Sequence, residues 1–437
     1  MREDIVIIGG GLAGSEAAWQ AANRGAKVTL YEMRPKEQTA AHKTGHLAEL
    51  VCSNSLGSTE IQSAPGILKE EMRRLGSLII KTADEVRVPA GAALAVDRDL
   101  FAQKVTQTLE GHPNIRILHE PVSEIPPDCA AIVATGPLTT DALAEHLKNL
   151  THAKHLYFYD AISPIVDADS IDMNVVFRAS RYDKGSDYLN CPMTEAEYDA
   201  FYKALLEAEK VVPKDFEKVP YFEGCIPIEV MAERGRDTMM FGPMKPVGLV
   251  DPRTNARPYA VVQLRMENRH GTCYNLVGFQ TKLTYGAQKR VLRMIPGLQN
   301  AEFLRYGSVH RNTFVNAPTL LRDTLQLKST GRVFLAGQLV GVEGYTEAAA
   351  TGGLAGINAA LGLNGKDLVV PPDTTAHGAL LKYITTSDPR HFQPMNTNYG
   401  LFPPLPSPIR DKQARQRRIG QRALEDFAAW MQRSGLS

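Results

Sequence analysis

Gly9, Gly11 and Gly14 stand at the spacing of a pyrophosphate cradle, and the chemistry they offer is binding rather than bond-making. Gly9 permits a tight turn, Gly11 lets the backbone approach a phosphate, and Gly14 lets a helix pack closely on a strand. Gly10, Leu12 and Ala13 complete the turn and open the helix, whose N-terminus presents N–H groups and a positive dipole end to an anion. Glu32 offers a second contact, because a carboxylate there suits the hydroxyls of an adenosine ribose and repels a 2′-phosphate. Near the other end of the chain Gly337, Gln338 and Glu347 are candidates of the same kind.

Such residues need a parallel sheet to hold them. Ile5–Ile8 is an apolar run of β-branched residues and reads as the first strand, followed by an alanine-rich helix. Lys27–Tyr31 reads as the second strand and ends at Glu32. Further on come a helix at Ile67–Leu75 ended by Gly76, a strand at Ala93–Val96, an amphipathic helix at Asp97–Leu109 and a strand at Ile115–Leu118. Ala130–Ala134 is a buried strand closed by Thr135-Gly136-Pro137, a turn common on the returning strand of an FAD-binding half. Arg332–Gln338 is a last strand. Gly341–Ala348 then leads into a helix whose Gly352, Gly353 and Gly356 allow close backbone packing and whose start can aim its dipole at a flavin ring.

The pattern predicts an α/β fold, a Rossmann-like FAD-binding domain of the glutathione-reductase-like type with an inserted α+β domain and a C-terminal helical tail. Residues 1–150 form the first part of the FAD-binding domain, 151–305 the insertion, 306–400 the returning part, and 401–437 a proline-rich link and basic helix. The insertion is marked by short strands (Asn174–Phe177, Tyr259–Leu264, Tyr274–Gly278) and one strong helix at Glu195–Lys210. In the tail Ile419, Ala423, Phe427, Trp430 and Met431 share one helix side. Arg415, Arg418 and Arg422 share another, as a solvated face or as a phosphate-binding stripe.

A chain of 437 residues has room for two or three domains and a large core. Its net charge of +1 argues against a protein that coats nucleic acid, though not against a local basic patch. No apolar run approaches the roughly 18 residues of a membrane span, and the N-terminus enters a strand without a signal-peptide pattern. Five cysteines, an odd number without a CxxC, point to reduced thiols, a cytoplasmic location and no zinc ribbon. No metal site is expected.

The segments GGGLAGSEAA, HLAELVCSNSLGS, ALAVDRDLFAQKVT, VATGPLTTDAL, YFEGCIPIEVMAERG, GFQTKLTYGAQKRVLRMIPGL, RVFLAGQLVGVEGYTEAAATGGLAG and HFQPMNTNYGLFPPLP occur in that order. Together they resemble the FAD- and folate-dependent tRNA uracil-5-methyltransferase family of bacteria over almost the whole chain. The FAD-binding parts also resemble a sister family, which adds carboxymethylaminomethyl groups to the tRNA wobble uridine. The two cysteine segments and the absence of a long extra C-terminal domain favour the former. This resemblance implies 5-methyluridine formation in the T-loop of tRNA. The carbon would come from methylenetetrahydrofolate and the electrons from reduced FAD, replenished by NADH or NADPH.

Uracil C5 is a poor nucleophile until something adds at C6, and a thiolate suits that addition. The resemblance assigns Cys225 as the C6 nucleophile and Cys52 as the partner near the flavin and general base, with the reverse assignment open. Cys129, Cys191 and Cys273 match no active-site segment and read as structural thiols. His42, His46 and Glu49 precede Cys52 without an assigned role. Gln338, shared with the family, stands where many FAD proteins carry Asp, so its contact should be neutral. With one GxGxxG in the chain, the nicotinamide reductant should dock transiently beside the flavin, against the insertion. A plain flavin oxidoreductase would instead show a paired-cysteine motif and a second nucleotide fold, and a non-catalytic RNA-binding flavoprotein would not need Cys52 or Cys225.

Overall fold

This computed structural model describes residues 5–436 apart from 40, 152–155, 162, 212–225, 269, 308 and 391. Cys225 therefore lies outside the described residues. Ile5–Ile8 is a fully buried strand flanked on both sides by parallel neighbours. The five-stranded parallel sheet runs Val333–Leu335, Ala131–Val133, Ile5–Ile8, Val28–Tyr31, Ile115–Leu118. With apolar residues on both faces of its central strand it must be covered from both sides. It is the parallel α/β fold expected from the sequence.

The glycine turn delivers the chain into the helix Leu12–Asn23, which packs against the helix Tyr345–Leu363 at backbone distance. A Cβ on Gly352 would lie 2.1 Å from Ala13 O, and one on Gly356 would lie 2.3 Å from Ala17 O. Only glycine allows that approach, and it brings the start of the second helix next to the glycine turn of the first.

A second sheet has six strands in the order Phe177–Arg178, Tyr188–Met193, Ala260–Met266, Cys273–Leu276, Ile165–Asp167, Phe303–Arg305, paired antiparallel. It carries its own apolar core, including Tyr198 and Phe201 of the helix Glu195–Glu207 and Phe279. The antiparallel pair Leu156–Ala161 and Val309–Phe314 runs between this part and the parallel sheet. In the tail helix Lys412–Arg433, Ile419, Ala423, Phe427, Trp430 and Met431 are buried in the first core. Phe427 stacks on His377 at 5.4 Å. Among the described residues no helix is long and apolar enough to cross a membrane.

Candidate dinucleotide and thiol site

A cavity of ≈ 370 Å³ runs along the C-terminal edge of the parallel sheet. Gly9, Gly11, Leu12, Ala13, Glu32, Gly337, Gln338 and Cys52 all line it. At its centre Gly9 has φ +102° and donates its N–H to Tyr31 O at 2.8 Å, tying the turn to the end of the second strand. Gly14 packs behind the turn, where a Cβ would lie 1.8 Å from Gly9 O. Gly11 is the opposite case. It caps the helix with φ −70°, no side chain caps that terminus, and a Cβ there would meet no protein atom within 4 Å. The helix start therefore faces open space, as a phosphate group requires.

Glu32 lies at one end of the cavity. Its Oε2 accepts from Gly10 N–H at 2.9 Å, and its Oε1 accepts from the Arg34 backbone N–H at 3.0 Å and from Arg34 Nε at 2.8 Å. Burial raises this carboxyl, but Arg34's hydrogen bonds and charge outweigh burial and hold it below the usual carboxylate range. A carboxylate has about four acceptor positions, so Oε2 keeps one for a ribose hydroxyl. Arg34 also reaches Glu49 at 3.1 Å. Beside them His42 is pushed down to about 4 by burial and then by the Arg34 charge, so it is neutral at ordinary pH. Open space at Gly11 and a retained acceptor at Glu32 fit a dinucleotide.

Gly337 takes φ +76° and donates its N–H to Thr351 Oγ1 at 2.9 Å. The neutral amide of Gln338 donates to Glu343 Oε2 at 3.1 Å. Glu347 is not among the lining residues. Its Oε1 accepts from Thr397 N–H at 2.9 Å, and burial raises its carboxyl. This carboxylate ties the helix start to the segment before the proline-rich link.

Cys52 lines the cavity on a loop held from three sides. Tyr345, the first residue of its helix, accepts from Cys52 N–H at 2.7 Å and from Ser53 N–H at 3.2 Å. From the second sheet, Arg265 donates to Ser53 Oγ at 2.7 Å and to Asn54 Oδ1 at 3.0 Å. Arg98 donates to Leu50 O at 2.5 Å and pairs with Glu267 at 2.8 Å. Arg98, Arg265 and Arg305 all sense Cys52 electrostatically. Burial and then the neighbouring Arg98 push Arg305 down. Burial, and after it the charge at Cys52, pushes the Tyr345 hydroxyl up. Three guanidiniums thus stand near the Cys52 loop. The chain re-enters the described region at Ile226, and Ile228 N–H donates to O of the cavity residue Gln280 at 2.7 Å.

The other described thiols, Cys129, Cys191 and Cys273, are not among the cavity-lining residues. Cys191 is buried, and burial pushes its thiol well up; that of Cys273 is pushed up to about 11, again chiefly by burial. Cys129 is half-buried. Among the described residues no group of His, Cys, Asp or Glu side chains could hold a metal ion. Arg415 and Arg418 are exposed on the tail helix. Arg422 departs from that stripe and donates to Pro404 O at 3.0 Å and Pro403 O at 2.6 Å, fastening the helix to the proline-rich link. Sequence reasoning passed over Tyr345, Arg34, Arg98 and Arg265. Of these only Tyr345 carried a signal, its place in the Gly344-Tyr345-Thr346 start of the glycine-rich helix.

A family model described as glucose inhibited division protein A matches residues 4–367. A methylenetetrahydrofolate–tRNA-(uracil-5-)-methyltransferase TrmFO of Geobacter sulfurreducens is 60% identical over 429 residues, covering 98% of each chain. One of the same name from Desulforudis audaxviator is 57% identical over 437 residues, covering 100% of both. Among solved structures, Aquifex aeolicus GidA in one crystal form matches with a TM-score of 0.73 at 19% identity, over 100% of this chain and 76% of that one. That likeness is one of fold.

Proposed function

The chain belongs to the glucose inhibited division protein A family and, within it, to the methylenetetrahydrofolate–tRNA-(uracil-5-)-methyltransferases, and from that premise we propose how its residues make 5-methyluridine in tRNA. The target is the T-loop uridine, and the carbon donor is methylenetetrahydrofolate. The cavity would hold FAD, with the Gly9–Gly14 turn receiving the pyrophosphate and Glu32 the adenosine ribose. When bound and reduced, FAD supplies the electrons that complete the methyl group. NADH or NADPH would restore them after docking transiently beside the flavin, against the inserted domain. The FAD-binding domain comprises 1–150 and 306–400, with 151–305 as the inserted domain.

The reading is supported above all by the Cys52 loop, which presents a thiol at the end of a dinucleotide cavity with its backbone fixed by Tyr345. In the assignment carried by the family resemblance, Cys225 Sγ adds to uracil C6 and makes C5 nucleophilic. C5 would bond to the methylene carbon, Cys52 would take the C5 proton as the carbon's carrier nitrogen leaves with the bonding pair, and two-electron reduction of the resulting exocyclic methylene, with electrons that reduced FAD would supply, would expel the Cys225 thiolate from C6. Arg98, Arg265 and Arg305 favour the anionic stages of that sequence.

The test is a tRNA transcript incubated with protein, NADPH and labelled methylenetetrahydrofolate, followed by nucleoside analysis. Label should appear in 5-methyluridine, and label supplied in S-adenosylmethionine should not. The opposite pattern removes the proposal.

A further inference from the structure

Three aromatic rings form a short ladder on the second sheet's edge, outside the cavity. Tyr306 is its middle rung, stacked on Tyr285 at 4.9 Å and 22° and on Phe303 at 5.2 Å and 19°. Near-parallel rings at this spacing leave an outer face suited to another planar ring. Tyr285, one end of the ladder, is 63% exposed. Its helix, Tyr285–Leu292, contains Lys289 and Arg290, both exposed, and no acidic residue. Lys289 lies one helical turn from Tyr285, on the same face. The nearby acid, Glu209, accepts from Thr284 Oγ1 at 3.2 Å at the helix's positive end.

The ladder also sits beside the catalytic end of the molecule. Arg305, adjacent to Tyr306, is one of the three arginines that sense Cys52 and points to Ala41 O in the cavity wall at 3.5 Å. Val211 N–H donates to Lys282 O at 2.7 Å, and Ile228 N–H donates to Gln280 O at 2.7 Å. Val211 and Ile228, on either side of the segment carrying Cys225, are therefore bonded to the Gln280–Lys282 stretch that leads into Tyr285.

We propose that the Tyr285–Tyr306–Phe303 ladder is a stacking platform for an unpaired base of the tRNA T-loop, with Lys289 and Arg290 on the adjoining phosphates. The inference rests on the tRNA reading above and extends it to a surface outside the cavity. Taking a uridine out of a folded loop leaves its neighbours unstacked, and an exposed aromatic face replaces the lost stacking without regard to base identity. Basic side chains around an open ring suit a polyanion with planar bases. A pterin would be better served by an enclosed slot, and Tyr285 lies outside the cavity lining.

The test compares wild-type holoenzyme with Tyr285→Ala and Tyr285→Phe, using a T-arm hairpin and full-length tRNA transcript. Stacking of one base on an aromatic ring corresponds to about 5–150-fold in Kd. Tyr285→Ala should therefore bind the hairpin more weakly by that factor and raise the KM for tRNA. Its flavin content and its KM for methylenetetrahydrofolate should hold. Tyr285→Phe should stay within about twofold of wild type, because the ring remains. In a hairpin with 2-aminopurine at the base 3′ to the target uridine, wild type should quench the fluorescence and Tyr285→Ala should not. The platform is overturned if Tyr285→Ala binds like wild type while wild type forms 5-methyluridine, or if the loss falls on the folate KM. A wild-type protein that neither binds the hairpin nor forms 5-methyluridine overturns the tRNA reading and the platform with it.

Discussion

Gly11→Val and Gly14→Ala should separate cofactor binding from folding, although the two glycines are three residues apart in one turn. Gly11 has ordinary extended backbone angles, φ −70° and ψ −171°, and open space where its Cβ would stand. A side chain there strains nothing in the protein. Replacing glycine at a compatible conformation stabilises by about 0.4–1 kcal/mol through the unfolded chain, and the poorer helix cap offsets this by about as much. Apo-protein stability should change by less than about 1 kcal/mol, while the new methyl groups occupy the place of the pyrophosphate. At Gly14 the same reasoning gives the opposite result. A Cβ 1.8 Å from Gly9 O must push the helix off the strand, with an overpacking cost of about 1–3 kcal/mol or more. The assay is flavin absorbance per protein together with thermal unfolding, with and without added FAD. At a thousandfold excess over Kd, FAD should stabilise the wild type by about 4 kcal/mol. It should leave Gly11→Val unmoved, with an apo melting curve like the wild type's. Gly14→Ala should melt early even without FAD. A Gly11→Val protein that keeps stoichiometric flavin would refute the assignment of this turn to the pyrophosphate.

The nucleophile can be identified with a tRNA fragment carrying 5-fluorouridine, since fluorine at C5 cannot leave as a proton does. A denaturation-resistant adduct should form and map to Cys225, vanish in Cys225→Ala and persist in Cys52→Ala, with flavin retained in both; mapping to Cys52 would exchange the two roles. On the tail, Arg415→Glu with Arg418→Glu should weaken tRNA binding and reduce its salt slope by about 0.7–0.9 for each lost phosphate contact. Arg422→Ala should instead lower the melting temperature, because the proline-rich link loses its fastening. His42 titrates near 4 when folded and at 6.5 ordinarily, so its contribution to stability is complete above pH 6.5 and lost as pH falls toward 4. His42→Gln should flatten the melting-temperature decline across that window.

What was legible in the sequence was local. The parallel sheet could be read because Ile5–Ile8 is apolar on both faces and ends in a glycine turn. The helix Arg98–Glu110 was visible because Asp97 is a standard cap and accepts from Leu100 N–H at 3.1 Å. Asn174–Phe177 read as a strand, and only Phe177–Arg178 is one. Asp172 takes the Asn174 N–H at 3.0 Å, and Arg253 takes the carbonyls of Asn174 and Val175, so the backbone is satisfied by side chains instead of a ladder. Arg422 read as part of a stripe because helical spacing cannot distinguish a solvated arginine from one that clamps Pro403 and Pro404. The place of Glu347 in a helix start does not reveal the Thr397 N–H that its Oε1 accepts.

The Cys52 loop was hardest to read because its geometry is assembled from distant parts of the chain. Tyr345 is 293 residues from Cys52, and Arg265 is 212 residues from Ser53. Asn54 completes the arrangement, donating to Val96 O and to Met266 O at 2.9 Å each, one partner at the end of the strand Ala93–Val96 and one at the end of a strand of the second sheet. Each tie is a hydrogen bond worth about 0.5–1.5 kcal/mol, or about 1.5–3 kcal/mol where a guanidinium is the donor. Moving the second sheet relative to the first would break the ties from Arg265, Met266 and Glu267 together, leaving the Arg265 charge buried without its acceptors. The position of the thiol is therefore coupled to the seating of one apolar core on the other. A substitution in the second core need not touch the cavity to shift Cys52, so that core belongs to the mechanism as well as to the fold.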